Sequence, residues 1–432
     1  RLALAKGGDV YVSDLRTDAA TAARGADLES AGARVELGGH DFEWLAGAGL
    51  VVVSPGIPPD APVLGDLRAR GVRWISEPEL AVRFYGAPLI AVTGTNGKTT
   101  TTLLVGHLLA SSGMDAAVGG NVGGGLAPAA SELALREDAP DWYVLEMSSF
   151  QLADVDTFRP DIGVVTGLSP DHLDRYPSLD AYYADKARLF ENADDASAWV
   201  LPFGDAEVEA LAGDAPGHRY TFSHDDVSAH AFVRDGVLTL RVADADEPLL
   251  AASDFPLMGR HNLRNGLTAA LTARLAGAPV EGIREGLRTT LPLPHRMEPI
   301  VERDGVLWVN DSKATNVSAA ASALASLDRP AVVLLGGKDK GEDFRPLGPL
   351  LAEHARVVLA FGAVSERLAD EIGDVVRVER LGSDFEKVVR RAAACARPGD
   401  VVVLSPACSS FDMFENYEHR GRVFADLARE VA

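Results

Sequence analysis

Cysteine is almost missing from this chain: Cys395 and Cys408 are the only two in 432 residues. Two thiols build no disulfide framework, and neither sits in a zinc-binding spacing, so a reducing cytoplasm is the expected setting. Long apolar runs are missing too. No stretch approaches the roughly eighteen apolar residues that a membrane span needs, and none is expected. The opening RLALAKGGDVYVSD has no basic stretch followed by an apolar signal core. Basic charge is in deficit: 41 Lys plus Arg face 63 Asp plus Glu, a net charge of −22. A polyanion such as DNA is repelled by that balance unless a concentrated basic groove exists, and none is visible, so nucleic acid is not an expected partner. Small anions stay open, because loops and helix ends hold phosphate whatever the net charge. Lysine is the scarce cation, at Lys6, Lys98, Lys186, Lys313, Lys338, Lys340 and Lys387 alone. Where Arg is the default, each Lys hints that an ammonium or a nucleophilic amine is needed.

What is present is a chain with 47% hydrophobic residues, enough for a core in each of two to four domains. Short apolar strands at Val10–Ser13, Arg34–Leu37, Leu50–Ser54 and Arg73–Ser76 alternate with helical patterns such as Ala61–Arg70. That alternation predicts a parallel α/β layer. The turn-rich SPGIPPD, Ser54 to Asp60, follows a buried strand at the carboxyl end where such sheets bind ligands. A second unit opens near Ala87 with the strand Pro88–Thr93, the turn Gly94–Gly97 and the helix Thr99–Ser111. Trp142–Leu145 and Ile162–Val165 read as further strands. Alternating runs in Ala229–Val242 flank Asp235-Gly236, which predicts a hairpin forming an antiparallel edge or flap. Helices at Asn262–Ala276 and Val280–Thr289 close this unit. From about Leu291, strands at Val306–Val309, Ala331–Leu335, Val357–Phe361, Val375–Arg380 and Val401–Ser405 alternate with helices. The expected architecture is three consecutive α/β domains, 1–86, 87–290 and 291–432, with ligand sites in the clefts between them.

VTGTNGKTTTT, Val92 to Thr102, carries the sharpest chemistry. A strand, a Gly-rich turn and Lys-Thr opening a helix make a P-loop. Gly94 and Gly97 let backbone N–H groups approach phosphate, Lys98 neutralises β/γ oxygens, and Thr99 is suited to Mg²⁺. Thr95, Asn96 and Thr100 complete the expected ATP cradle. Val92 stands where the strict pattern has its first glycine. LEMSSFQL, Leu145 to Leu152, puts Glu146 just beyond an apolar strand, where an anionic oxygen suits a hard cation.

GTNGKTTT resembles the nucleotide loop of the Mur ligase and folylpolyglutamate synthase superfamily, and the resemblance then runs from about Val10 to the C-terminus. It extends through GGNVG (Gly119 to Gly123), SPDHLDRYPSLDAYYADKARLF (Ser169 to Phe190), MGRHNLRNGLTAA (Met258 to Ala270), NDSKATN (Asn310 to Asn316), LLGGKDKGEDF (Leu334 to Phe344) and SPACSSFDMFENYEHRG (Ser405 to Gly421). The chain is most similar to the branch of the Mur ligases that adds D-glutamate.

That resemblance implies a Rossmann-like UDP-binding domain, a P-loop ATP-binding central domain and a Rossmann-like C-terminal domain. Relative to the family, the chain begins after the first strand and its Gly-rich turn, inside the first helix at Arg1, so the UDP-binding domain is expected to be incomplete at its start. Asp14, Leu15 and Arg16 match uridine contacts, and Asn121 a contact to the UDP-sugar. His172 matches a ligand of metal and sugar. Lys186 matches a lysine carbamylated by CO₂, which would hold the second of two Mg²⁺ ions. Asn262 and Asn265 carry amides suited to nucleotide recognition, with Asn262 read as an N-cap and His261 as another candidate cap. Arg296 and Asp311 match ATP contacts. Lys313 and Thr315 face the acceptor side, and Lys340, Ser410 and Tyr417 join Thr315 in gripping D-glutamate. The activity implied is ATP-dependent ligation of D-glutamate to UDP-N-acetylmuramoyl-L-alanine by a cytoplasmic monomer. The alternatives are a sister ligase, a folate-extending ligase, or a P-loop switch that hydrolyses ATP without ligation.

Overall fold

Three groups of strands, each flanked by helices, make up the computed structural model, which describes residues 1–58, 60–123, 125–171, 175–243 and 245–432. The first group is split. Tyr11–Asp14 pairs with Arg34–Leu37, Val51–Val53 pairs with Trp74–Ser76, both parallel, and among the described residues the two pairs share no ladder. The expected single layer is therefore two halves. Helical crossovers explain the parallel sense within each half, since Ala19–Ser30 and Pro62–Ala69 carry the chain back along the sheet. Trp74 Nε1 donates to Asp154 Oδ1 (2.9 Å) and Ser76 N to Asp154 O (2.7 Å), which ties this domain to the central one.

The central sheet has nine strands among the described residues. In spatial order they are Glu247–Ala251, Val237–Leu240, Ala231–Arg234, His218–Phe222, Ala198–Pro202, Ile162–Val165, Leu89–Thr93, Trp142–Glu146 and Ala116–Gly120. The antiparallel edge falls where Asp235-Gly236 predicts it. Asp235 (φ 50°) and Gly236 (φ 76°) both take the left-handed conformation that a tight two-residue hairpin demands. Leu89–Thr93 is buried on both faces. Ile90 and Val92 pack with Leu104 and Leu108 of the helix Lys98–Ser111, while Leu89 and Ala91 pack with Leu152, Phe158 and Trp199. Each such buried leucine contributes about 2 kcal/mol by leaving water. Composition hides the strand Ala116–Gly120. It is built from alanine and glycine, and Gly106 of the P-loop helix approaches so closely that an added Cβ would lie 2.3 Å from Val118 Cγ2.

In the third sheet the order is Glu298–Arg303, Val306–Asn310, Val401–Leu404, Ala331–Gly336, Ala355–Phe361 and Val378–Gly382, with only the first pair antiparallel. The last strand begins later than the apolar run from Val375 suggests. Val375 and Val376 instead donate their N–H groups to Ile372 O and close the preceding helix. The helix Arg260–Leu275 is capped by Gly259 (φ 94°), so neither His261 nor Asn262 is its N-cap. Asn262 Nδ2 reaches back to Met258 O (2.8 Å) from inside the first turn.

Candidate active site

Sheet register builds the site. Val92 lies opposite Glu146 on one side and Val164 on the other, so the P-loop, Glu146 and the segment after Val165 all leave the carboxyl edge of the central sheet together. Two glycines let the loop fold tightly there. An added Cβ on Gly94 (φ 134°) would meet Thr166 Oγ1 at 2.1 Å, and one on Gly97 (φ 82°) would meet Asn265 Oδ1 at 2.5 Å. Both conformations are also strained for any L side chain. Asn265 thus buttresses the loop. Its Nδ2 donates to Asn262 Oδ1 (3.1 Å), and its Oδ1 accepts from Thr101 Oγ1 (3.5 Å).

Two ammonium groups converge on one loop carbonyl. Lys98 Nζ donates to Gly94 O (3.0 Å) and Thr95 O (2.9 Å), and Lys186 Nζ donates to the same Gly94 O (2.8 Å). Lys186 is 1% exposed. Its helix, Leu179–Ala187, starts at the Ser178 cap, and the four-residue spacing sets Nζ 4.6 Å from the centroid of the Tyr182 ring. Burial pushes the Lys186 pKa well below the ordinary lysine value, and the neighbouring Lys98 pushes the same way against Asp171 and Glu146. Lys98 is lowered by burial as well. A depressed amine spends more of its time neutral and nucleophilic at pH 7.

Glu146 supplies the counter-charge. Its Oε1 accepts from Asn121 Nδ2 (3.1 Å), while its buried Oε2 has no hydrogen-bond partner among the described residues. A buried carboxylate oxygen without a partner is costly unless a cation or water completes it. Thr99 opens the helix on the same edge. Among the described residues no three His, Cys, Asp or Glu side chains gather as a self-sufficient metal site. The donor set instead suits a cation that shares its shell with phosphate oxygens, as Mg²⁺ does. Lys98, Asn121, Ser148, Ser149, Phe150, Tyr182 and Lys186 line a cavity of about 190 Å³ here.

The third domain touches the P-loop beside this cavity, where Asn96 Nδ2 donates to Ser318 Oγ (3.3 Å). Burial, reinforced by Arg296 and Lys98, lowers Lys313 to about 8, and its Nζ lies 4.1 Å from the Tyr417 ring centroid. Arg296 is held by a strained turn. His295 (φ 64°) and Met297 (φ 44°) flank it in a conformation costly for L side chains. His295 N donates to Glu298 Oε2 (2.8 Å) and Met297 N to Asp311 Oδ1 (3.2 Å), which fixes Arg296 beside Asp311. Asp311 follows the strand Val306–Asn310, and its Oδ2 accepts from Ser405 Oγ (2.8 Å) at the end of the neighbouring strand. Burial raises this carboxyl to about 7. Lys338 pairs its backbone with Ser409, Lys340 stands two residues further on and half-buried, and Ser410 is buried. Tyr417 O accepts from Ser312 Oγ (2.8 Å).

Asp14, Leu15 and Arg16 lie apart from this cavity, on the first domain at the end of Tyr11–Asp14, where Arg16 holds the Asp14 carboxyl below its usual range. His172 lies outside the described residues. Tyr182, Ser148, Ser149 and Phe150 escaped the sequence reading as cavity residues. The spacing of Tyr182 from Lys186 was the available signal.

Comparison with known proteins agrees along the chain. Residues 1–76 match the Mur ligase MurD-like N-terminal domain, 92–273 the Mur ligase middle domain, and 295–408 the Mur ligase glutamate ligase domain. The UDP-N-acetylmuramoylalanine–D-glutamate ligase of Acidobacterium capsulatum is 42% identical over 98% of this chain and 91% of its own length. The chain belongs to the Mur ligase family. The ligase of the same name from Salinibacter ruber is 40% identical to this Mur ligase over 100% of the chain and 95% of its own length. Solved structures share the fold: a pseudomurein peptide ligase type C from Methanothermus fervidus (TM-score 0.60, 18% identity, 100% of this chain and 96% of that one) and a MurF ligase from Thermotoga maritima in complex with ADP (TM-score 0.61, 16% identity, 89% and 97%).

Proposed function

We propose that this Mur ligase joins D-glutamate to the L-alanyl carboxylate of UDP-N-acetylmuramoyl-L-alanine, with cleavage of ATP to ADP and phosphate. The relatives that span nearly its whole length are ligases of that name. The observation that carries the chemistry is the meeting of Lys98, Lys186 and Glu146 at one loop and one cavity. Hydroxide is a poor leaving group, so the carboxylate must be activated. Its oxygen attacks the γ-phosphorus, the bond to the ADP oxygen breaks, and an acyl phosphate forms. The D-glutamate amine then attacks the acyl carbon, phosphate departs, and the nitrogen loses a proton as the amide forms.

Gly94–Thr100 cradles the phosphates, and Lys98 offsets their charge during transfer, a task of positioning and electrostatics. Asn265, Arg296 and Asp311 frame the nucleotide. Glu146, Thr99, His172 and a carbamylated Lys186 would hold two Mg²⁺ ions, which supply charge neutralisation between phosphate oxygens. The low pKa of Lys186 supports the modification: the neutral amine attacks CO₂, a C–N bond forms, one proton is released, and an anionic oxygen ligand stands where the neutral amine was. Thr315, Lys340, Ser410 and Tyr417 receive D-glutamate. Asp14, Leu15, Arg16 and Asn121 contact the UDP-sugar. Water is excluded when the third domain shuts over the central one. The breaks between domains fall near 86 and 290; Leu291, 80% exposed, begins the second crossing. A cytoplasmic monomer fits these substrates, and no described helix is long and apolar enough to cross a membrane.

Phosphate release measured across a substrate panel tests the reading. Release is expected with ATP, UDP-N-acetylmuramoyl-L-alanine and D-glutamate together. Equal release without the amino acid contradicts ligation, and preference for another amino acid contradicts the substrate.

A further inference from the structure

We propose that Asn316 is a positioning residue, a latch that holds the third domain closed on the central one through Asp171. One side chain does two jobs. Its Oδ1 accepts from Ala319 N (2.7 Å) and caps the helix Val317–Leu324, while its Nδ2 donates across the cleft to Asp171 Oδ2 (3.0 Å). Asn316 is 5% exposed, and its bond to the half-buried Asp171 is partly shielded from water.

The surroundings favour this closed contact. Two residues along, Ser318 Oγ accepts from Asn96 Nδ2 of the P-loop (3.3 Å), so the first turn of one helix touches both the nucleotide loop and Asp171. The N-terminal end of a helix attracts negative charge, and Asp171 meets it there. Glu342 approaches the same turn from within the third domain, accepting from Val317 N (2.9 Å). Two carboxylates therefore face one helix start, and the Asn316 amide donates to the one that belongs to the other domain. Asp171 also lies within electrostatic range of Lys98 and Lys186. Closing the latch thus seats Thr315, the preceding neighbour of Asn316 and a D-glutamate contact in the reading above, beside the groups that activate the acid. The kinetic arm of the inference rests on that reading; the structural arm does not.

The two jobs can be separated. N316S keeps a cap acceptor and loses the bridge. N316D also keeps the cap but sets a carboxylate against Asp171 and beside Glu342. The double variant N316D/D171N restores a donor–acceptor pair in the opposite sense. Small-angle X-ray scattering of the ligand-free full chain reads closure, melting temperature reads the cap, and steady-state phosphate release reads D-glutamate use. A single partly shielded hydrogen bond is worth about a tenfold change in the closed-to-open ratio, so N316S is expected to raise the D-glutamate KM by about that factor with its melting temperature nearly unchanged. N316D is expected to expand the radius of gyration, and the double variant to return it to the parent value. A scattering curve for N316D that superimposes on the parent, or a double variant as expanded as N316D, overturns the latch. Scattering that responds as expected in a chain that releases no phosphate with D-glutamate leaves the latch standing and rejects the substrate instead.

Discussion

The two sides of the cleft are built to different degrees. On the central domain the polar groups are already engaged: the buried Lys186 and the half-buried Lys98 share Gly94 O, and Asn121 holds one oxygen of the buried Glu146. On the third domain the proposed grip for the amino acid is more open. Lys338 is exposed, Lys340 half-buried, and both sit on a loop joined to the rest by backbone pairing with Ser409. On the proposed reading, the contrast teaches that the phosphoryl-transfer half is preorganised, whereas the acceptor half would be completed by its ligand. Preorganised charge acts on the transition state, and an open grip acts mainly on binding.

Substitutions sharpen that contrast. The largest effect is expected from Lys98→Ala, a loss of about a thousandfold in kcat for phosphate release, with D-glutamate KM little changed. A loss confined to KM would contradict the preorganised half. Lys186→Ala is expected to lower kcat about a hundredfold or more, with partial recovery on adding a short carboxylic acid that would replace the proposed carbamate oxygen. A P-loop switch without ligation tolerates this change and ignores the added acid. Lys340→Ala should act on the other parameter, raising the D-glutamate KM about ten- to a hundredfold through loss of a charge-assisted hydrogen bond. If kcat fell instead with KM unchanged, the grip would belong to the chemistry.

The smallest effect concerns pH. The Asp311 carboxyl is raised to about 7 in the folded chain, against an ordinary value of about 4. The folded state therefore binds this proton more tightly than the unfolded one, and the stability it contributes is present below the ordinary range and lost as pH rises through about 7. Asp311→Asn is thus expected to gain melting temperature relative to the parent at pH 8 compared with pH 5. An equal difference at both values contradicts the burial of this charge.

Much of this was legible in residues whose chemistry demands a local pattern. Asp235-Gly236 fixes its hairpin, and the glycine turn before Lys98 fixes the P-loop, because few residues tolerate those backbone angles. Glu146 was placed by an apolar strand that could end only at the sheet edge. What could not be read depends on packing between distant segments. The start of the helix at Gly259, the strand Ala116–Gly120 and the split first sheet carry weak local signals and are decided by neighbours. Asn316 closes the NDSKATN segment, and the sequence assigns it no role of its own. Its partner Asp171 lies 145 positions away, and only the closed domains bring them together.

Oxygen tracing tests the central claim most directly. UDP-N-acetylmuramoyl-L-alanine labelled with ¹⁸O in its alanyl carboxylate is turned over with ATP and D-glutamate, and the phosphate is analysed by mass. Activation through an acyl phosphate predicts one labelled oxygen in each phosphate released. Phosphate without label, alongside amide product, would contradict it.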